Sequence, residues 1–448
     1  MKHERPATTI VVRRAERGGI LFPEARRDGA SRRRRVRRAG LSSPYDARRI
    51  LLCRDLRPLR GGVAESAAVA GATGHHGGGV GGDGGGLGLA VAGIDGRRQL
   101  AWAGAGVPGT LPAVRGQTLS VVAMAARVSV IIVNWHAEDM IGETLAALDR
   151  QTRAPDRVVV VDNGSGKPLP LARFTRGPAR VLTMSRNIGF AAANNVAARE
   201  ETDAEWLALL NPDALPEPGW LAALMAAAAG HPECQFFGST QLTGQGGAVI
   251  DGLGDVYHVC GAAWRDGHGK RNERLPTTCR EIFAPCAAAA LYRRDAYLDV
   301  GGFDEDFFCY FEDVDLGFRL RLRGYRAMHV PGAVVHHLGG GTTGGGRSDF
   351  AVYHGQRNLV WAFVKNMPGI HLWRYLIQHL MFNLASLAVH ALRGQGWVAL
   401  KAKWAALAGL RRMTLKRAQV RGQTRVPPGE VLDKMAHGWL APYPRTRQ

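Results

Sequence analysis

Residues 301–324, GGFDEDFFCYFEDVDLGFRLRLRG, place six carboxylates within fifteen positions and thread five aromatic rings among them. A solvated surface has no use for the rings, and a core rejects the charges unless something pairs them. From Glu312 onward the spacing is helical: Leu316 and Leu320 share one side, Asp315 and Arg319 form an i,i+4 ion pair, and Gly324 is the stop. Glu312 and Asp313 then fall in the first turn, where the helix dipole favours ionised carboxylates. A carboxylate held there can take the proton of an attacking hydroxyl as a general base. Equally, the two acids can cap the helix and pair with nearby arginines. Asp304 and Asp306 read as loop-forming residues.

The elements able to position such a site begin at Arg127. VSVIIVNW is a continuous apolar, β-branched run of buried parallel-strand type, and EDMIGETLAALDRQ follows with Ile141, Leu145 and Leu148 at helical spacing. RVVVVDNGSG and ARVLTMS are two further strands, GFAAANNVAARE a helix, EWLALLNPDALP a strand and loop, and PGWLAALMAAAAG a helix between Pro218 and Gly230. Such alternation predicts a parallel α/β sheet covered by helices on both faces. Ligands bind at the carboxyl ends of strands in such sheets. There the sequence gathers Asn134, Asp162 with Asn163, Ser185 with Arg186 and Asn187, and Asn211 with Asp213. A dinucleotide-binding fold is not indicated, because Asn134-Trp135-His136 stands where GxGxxG would follow the first strand.

From Val128 to about Pro368 the chain resembles the family-2 inverting glycosyltransferases of GT-A fold, and within them the rhamnosyltransferase-like branch of bacterial polysaccharide assembly. The resemblance rests on six blocks in order: VSVIIVNW, VVVVDNGSG, RNIGFAAANN, LLNPDALP, GGFDEDFFCYFEDVDLGFRLRLRGY and VVHHLGGGTT. It implies an α/β mixed sheet with helices on both faces, spanning residues 124–368, with a C-terminal helical region over 369–448. The implied reaction moves a sugar, L-rhamnose from dTDP-rhamnose, to a hydroxyl of a cell-envelope or lipid-linked glycan. Another hexose from a UDP- or dTDP-sugar is the alternative, and a non-catalytic nucleotide-sugar binding module is the alternative of a different class.

The resemblance also implies roles. Asp162 contacts the pyrimidine, a use compatible with an Asx turn in DNGS, and Asn134 and Asn163 flank it. Arg186 and Asn187 bind ribose or phosphate before a helix whose N–H groups favour anions, with Gly189 allowing close approach; Asn187 as a plain helix cap is the other reading. LLNPDALP takes the place of the DxD metal motif with Asn211 in the first position, leaving Asp213 as ligand of a divalent cation, Mg or Mn. Asp313 is the general base and Glu312 orients the acceptor. Phe307, Phe308, Tyr310 and Phe311 wall the sugar cleft. His337 is a further metal or diphosphate ligand, with His336 able to take the same role. Glycines 339–341 and 344–346 form a flap over the donor. Arg357, beside Asn358, reaches the diphosphate or is a surface residue.

The segment HLWRYLIQHLMFNLASLAVHAL, residues 371–392, carries His379, Asn383, Ser386 and His390 as one polar stripe, which argues for lying along a boundary. Lys401, Lys403, Arg411, Arg412, Lys416 and Arg417 then form a basic patch suited to an anionic lipid surface. Packing on the catalytic domain, or dimerisation, is the other reading of these helices. Residues 1–123 are Arg- and Gly-rich without apolar period, read as a disordered or over-translated extension before Met124. Their 21 Lys and Arg against nine Asp and Glu supply +12 of the formal +20, so the charge is no nucleic-acid signature. Six scattered cysteines and no signal-peptide pattern suit a reducing compartment. The expectation is a cytoplasmic protein, peripheral on the membrane, of undetermined oligomeric state.

Overall fold

The structure is a computed structural model that describes residues 10–11, 126–339 and 348–439, all within the unit formed by Met1–Ala15 and Leu111–Gln448. Most of the 1–123 extension and the 340–347 part of the glycine-rich flap lie outside the described residues. The strands are β1 Ile10–Val11, β2 Val128–Asn134, β3 Arg157–Asp162, β4 Ala179–Thr183, β5 Trp206–Leu210, β6 Ala214–Pro216 and β7 Phe236–Thr243. They continue as β8 Val249–Gly252, β9 Asp255–Tyr257, β10 Ala263–Arg265, β11 Arg280–Glu281, β12 Ala289–Arg293 and β13 Ala327–His337.

The main sheet runs β1-β4-β3-β2-β5-β12-β7-β13-β11. β4, β3, β2 and β5 are mutually parallel, as the alternation predicts, but β12 is antiparallel to both β5 and β7. The sheet is therefore mixed. Every residue of β2 is buried, and its side chains alternate between two cores. Val130 and Ile132 pack with Ile141, Leu145, Leu148, Trp220 and Leu224 on one face. Ile131 and Val133 pack with Ala193, Ala197, Leu316 and Leu320 on the other. The helix Glu312–Leu322 thus buries its apolar side against the sheet at the spacing read from sequence.

β13 runs for 11 residues, up to and including the two histidines. It continues through Pro331 because its register against β7 slips between Val330 and Val334, which spares the proline from donating to the ladder. This carries His337 to the strand end.

The C-terminal helices do not stand apart as a separate region. Val420, Val431, Leu432 and Met435 share a core with Tyr257, Phe283, Phe318 and Phe363. The polar stripe of the helix Leu376–Leu392 faces inward, onto the rest of the domain. His379 stacks on Phe363 at 3.9 Å between centroids and bonds the Cys260 carbonyl at 2.8 Å, and Ser386 donates to Gln356 at 3.0 Å. Of the basic patch, Lys401 and Arg411 are exposed, and the other four have partners within the protein. Lys403 donates to the Gln356 carbonyl and to Asn383, Arg412 and Lys416 pair with Asp306, and Arg417 is spent on the Val364, Met367 and Gly369 carbonyls.

Burial holds His379 and His329 down to about 4, so both rings are neutral in the fold while their unfolded counterparts protonate near 6.5. Between those values the unfolded chain binds more protons, so stability present above pH 6.5 is lost as pH falls towards 4. Urea midpoints should fall between pH 7 and pH 5, and His379→Gln should flatten that slope; parallel slopes would refute the assignment.

Candidate active site

A cavity of about 960 Å³ opens beyond the carboxyl ends of β2 and β5. Its lining includes Asn163, Asn187, Asn211, Asp213, Glu312, Asp313 and His337, residues that the sequence places more than a hundred positions apart. Four other expected site residues do not line it. Asn134 and Asp162 are buried behind Asn163, Arg186 is exposed, and Arg357 is held elsewhere.

The acidic wall begins with an unusual loop. Phe308, Tyr310 and Phe311 all have positive φ, at 65°, 66° and 69°. Non-glycine residues there each cost about 1–3 kcal/mol, so the surroundings must impose the conformation. Asn358, fully buried, does so with one amide that donates to the carbonyls of Phe307, Cys309 and Tyr310 at 2.9, 3.0 and 2.7 Å. Arg357 adds donation to the Asp306 and Phe307 carbonyls and lies over the Trp361 ring at 4.3 Å. Arg357 is thus a brace of the loop in this structure, and not a wall of the cavity. Phe308, Tyr310 and Phe311 face the cavity as expected, whereas Phe307 is completely buried against Trp361.

The loop ends at the helix carrying the two acids. Asp313 accepts from the Ala287 amide at 3.1 Å, which fixes its carboxylate towards β12. Glu312 is buried, with Oε2 accepting no hydrogen bond among the described residues. Burial, then the charge of Asp313, pushes Glu312 well above the usual carboxylate range. Of the two adjacent acids, Glu312 is the one whose surroundings favour the protonated form.

Across the cavity, Asp213 Oδ1 lies 3.4 Å from His337 Nε2, and the Asn211 amide lies 3.5 Å from the same nitrogen. His336 points to the other side of β13, bonding Glu217 at 3.0 Å, because side chains alternate along a strand. The far nitrogen of His337, Nδ1, bonds Asp251 Oδ2 at 2.8 Å. Burial opposes a charged ring there, but the bonds to Asp213 and Asp251 outweigh it and raise His337 to about 9. Asp251 is itself held well below the usual range: burial raises it, and hydrogen bonds from His268 and His337 with the charge of Arg265 lower it further.

Asp251, Asp255 and Arg265 line the cavity without any assignment from sequence. Asp255 is buried, and burial followed by the charge of Asp313 raises it well above the carboxylate range. The available signal is the pair of carboxylates in VIDGLGDVY, an otherwise apolar and glycine-rich run that has no reason to hold them in a core.

At the carboxyl ends of β2 and β3, Asp162 accepts from the Ser165 amide at 3.3 Å and lies 3.5 Å from the Asn134 amide, the turn geometry that DNGS allows. Asn163 donates to Asn187 at 3.0 Å and accepts from the Ile188 amide, linking the two polar turns. Gly189 has φ 89°, and a Cβ there would meet the Phe308 ring at 2.6 Å, so what approaches it closely is the strained loop. The Phe308 carbonyl also takes the Ala191 amide of the following helix, so that N–H is not free for an anion.

Residues 125–362, more than half of the chain, match the family described as Glycosyltransferase like family 2. The chain is 32% identical over 248 residues to a Mycobacterium tuberculosis (strain ATCC 25618 / H37Rv) protein named N-acetylglucosaminyl-diphospho-decaprenol L-rhamnosyltransferase, across 50% of this chain and 80% of the relative. It is 29% identical to the O-antigen biosynthesis protein RfbC of Myxococcus xanthus, over 47% of this chain and 17% of that one. Among solved structures, that of GalNAc-T7 with UDP, GalNAc and Mn2+ superposes with a TM-score of 0.51 at 15% identity, covering 71% of this chain and 58% of that one, a likeness of fold. Sheet order, cavity placement and sequence agree: the chain belongs to glycosyltransferase family 2 and is a glycosyltransferase of GT-A fold.

Proposed function

We propose that the protein transfers L-rhamnose from dTDP-rhamnose, with inversion, to a hydroxyl of a lipid-linked cell-envelope glycan, working peripherally at the cytoplasmic face of the membrane. The observation that carries the reaction class is the cavity itself: Asp313 lines one side, and Asp213 with His337 the other. The name of the mycobacterial relative, matched over 80% of its length, supports the sugar and the acceptor class. In the reaction Asp313 removes the proton of the acceptor hydroxyl while that oxygen bonds to C1 of the sugar. The bond from C1 to the diphosphate breaks, and the nucleoside diphosphate leaves on the opposite face. Glu312, whose protonated form burial favours, is available to donate a hydrogen bond to the acceptor. Asn163 and Asn187 are positioned for donor hydroxyls, with Asp162 and Asn134 fixing their turn and Arg186 at its rim.

A divalent cation, Mn or Mg, fits the opposite side. A carboxylate oxygen and an imidazole nitrogen 3.4 Å apart can both bind one cation through bonds of about 2.1 Å. Asp213, His337 and the Asn211 amide would hold it, and when bound it neutralises charge on the leaving diphosphate. No three His, Cys, Asp or Glu side chains cluster as a metal cage among the described residues, so donor oxygens would complete the shell. Asp251 fixes which nitrogen His337 offers, as carboxylates behind ligating histidines do. Asp251→Asn should weaken Mn2+ binding in the presence of dTDP about 10–100-fold, read by titration calorimetry without turnover. Unchanged affinity would remove Asp251 from that role.

The function is tested with the purified full chain, Mn2+ or Mg2+, a panel of dTDP-, UDP- and GDP-sugars, and a GlcNAc-diphospho-lipid acceptor. Preferential release of dTDP from dTDP-rhamnose, with a rhamnosylated lipid, is the expected result. Preferred turnover of a UDP-hexose would mean another hexosyl donor, and binding without turnover in every mixture would mean a binding module.

A further inference from the structure

The C-terminal helix Leu376–Leu392 is amphipathic with its apolar side turned to solvent, and the helix Gly396–Ala408, apolar on both sides, likewise exposes large apolar groups. On the first, Ile377, Met381 and Leu384 lie outward, with Ile377 70% exposed, while His379, Asn383 and Ser386 point into the protein. On the second, Trp397 and Trp404 are each 65% exposed, one side of a helix whose other side buries Ala399, Ala402 and Ala406. Just before them Trp373 is also 65% exposed. Helices that only covered the catalytic core would place these large apolar groups inside; isolated exposed leucines are ordinary, but a shared outward face rich in tryptophan is not.

We propose that this face is a lipid-binding surface that seats the enzyme on an anionic bilayer, its apolar side chains in the headgroup-to-acyl boundary. Three observations select lipid as the occupant. No Asp or Glu occurs between Asp349 and Glu430, while Arg374, Arg393, Lys401 and Arg411 are exposed there, a balance complementary to anionic headgroups. Lys401 lies over the Trp397 ring at 5.2 Å, pairing a cation with an indole as interfacial segments do. The inward side of the helix Leu376–Leu392 also lends Phe382 and His390 to the lining of the site cavity, so one helix borders both the bilayer face and the reaction chamber. An acceptor whose sugar enters that chamber would thereby keep its lipid tail in the membrane. No described helix is long and apolar enough to cross a bilayer, which suits attachment along its surface. The inference deepens the lipid-linked acceptor reading and rests on it for its purpose, though not for its test.

The test is co-sedimentation of the full chain with vesicles of phosphatidylglycerol and phosphatidylcholine, compared with the variant Ile377→Ser/Trp397→Ser/Trp404→Ser, with no sugar donor or acceptor present. The Arg-rich leader is common to both proteins, so their difference reports the helices alone. Wild type should bind anionic vesicles with a blue shift of tryptophan emission, and the variant should bind at least about tenfold more weakly. Matching thermal unfolding would show that the variant is folded; if it is not, Trp397→Ser alone should still weaken binding severalfold. Equal binding by wild type and a folded variant would overturn the proposal. So would a wild type that stays in the supernatant, or one that forms a dimer abolished by the substitutions without binding vesicles. Turnover of dTDP-rhamnose on a water-soluble GlcNAc-diphosphate acceptor, measured in parallel, tests the chemistry separately: it should survive in the variant whatever the vesicle result.

Discussion

Asp313→Asn is expected to lower sugar transfer by about 10²–10⁴-fold, equivalent to about 3–5 kcal/mol in the activation barrier, while leaving donor affinity nearly unchanged. The substitution preserves size and the contact with the Ala287 amide, but an amide cannot take the acceptor proton. Glu312→Gln should cost far less. Burial and the charge of Asp313 favour the protonated form of the Glu312 carboxyl, and the amide mimics its shape. Rates with saturating donor and acceptor, together with donor binding measured by calorimetry, separate the two residues. A loss below tenfold for Asp313→Asn, or a larger loss for Glu312→Gln, would transfer the base role away from Asp313.

The second large effect concerns stability. Lys365 is buried and joins Asp304 Oδ2 and Asp315 Oδ1, each at 2.6 Å, while Arg319 pairs Asp315 at 2.9 Å and Lys416 contacts Asp304. This network ties together the loop before the acids, the helix Glu312–Leu322, the helix Asp349–Asn366 and the helix Leu410–Gln423. Burial lowers the Lys365 pKa while the two carboxylates oppose that, as for a cation that its partners must hold. Lys365→Met leaves the carboxylates under-compensated in a dry interior, which costs about 3–5 kcal/mol and lowers Tm by roughly 6–15 °C. Lys365→Met/Asp304→Asn should recover part of the loss by removing one orphaned charge. A Tm for Lys365→Met within 2 °C of wild type, on the order of 0.5 kcal/mol, would show that the pair contributes nothing net.

Both effects arise at residues whose neighbours lie far off in the chain, which separates what could be read early from what could not. The strands β2 to β5 were legible because short runs dominated by β-branched and apolar residues, five of seven positions in β2, have few other solutions. The helix at Glu312 was legible because its period, ion pair and stop are all local. Asp251 was not: its meaning depends on His337, 86 residues on, and nothing in its local spacing records that bond. Nor does any local pattern show that Asn358 forces three aromatic residues into positive φ, since the carbonyls it gathers lie 48 to 51 residues away.

The amino-acid sequence by itself determined the alternation of the sheet, the polar stripe of the segment 371–392, and Asp213, Asp313 and His337 as candidate site residues. Tertiary structure alone decided that these three share a cavity, that Arg357 and most of the basic patch brace the interior, and that the polar stripe of 379–390 turns inward. The reason is physical: periodicity fixes the angle between a helix's two faces, but the sign of that angle is set by what waits on the other side. Here the waiting surface offers the Cys260 backbone carbonyl and the Gln356 side-chain oxygen, which polar groups satisfy and leucines would strand, so the apolar face is the one left outside.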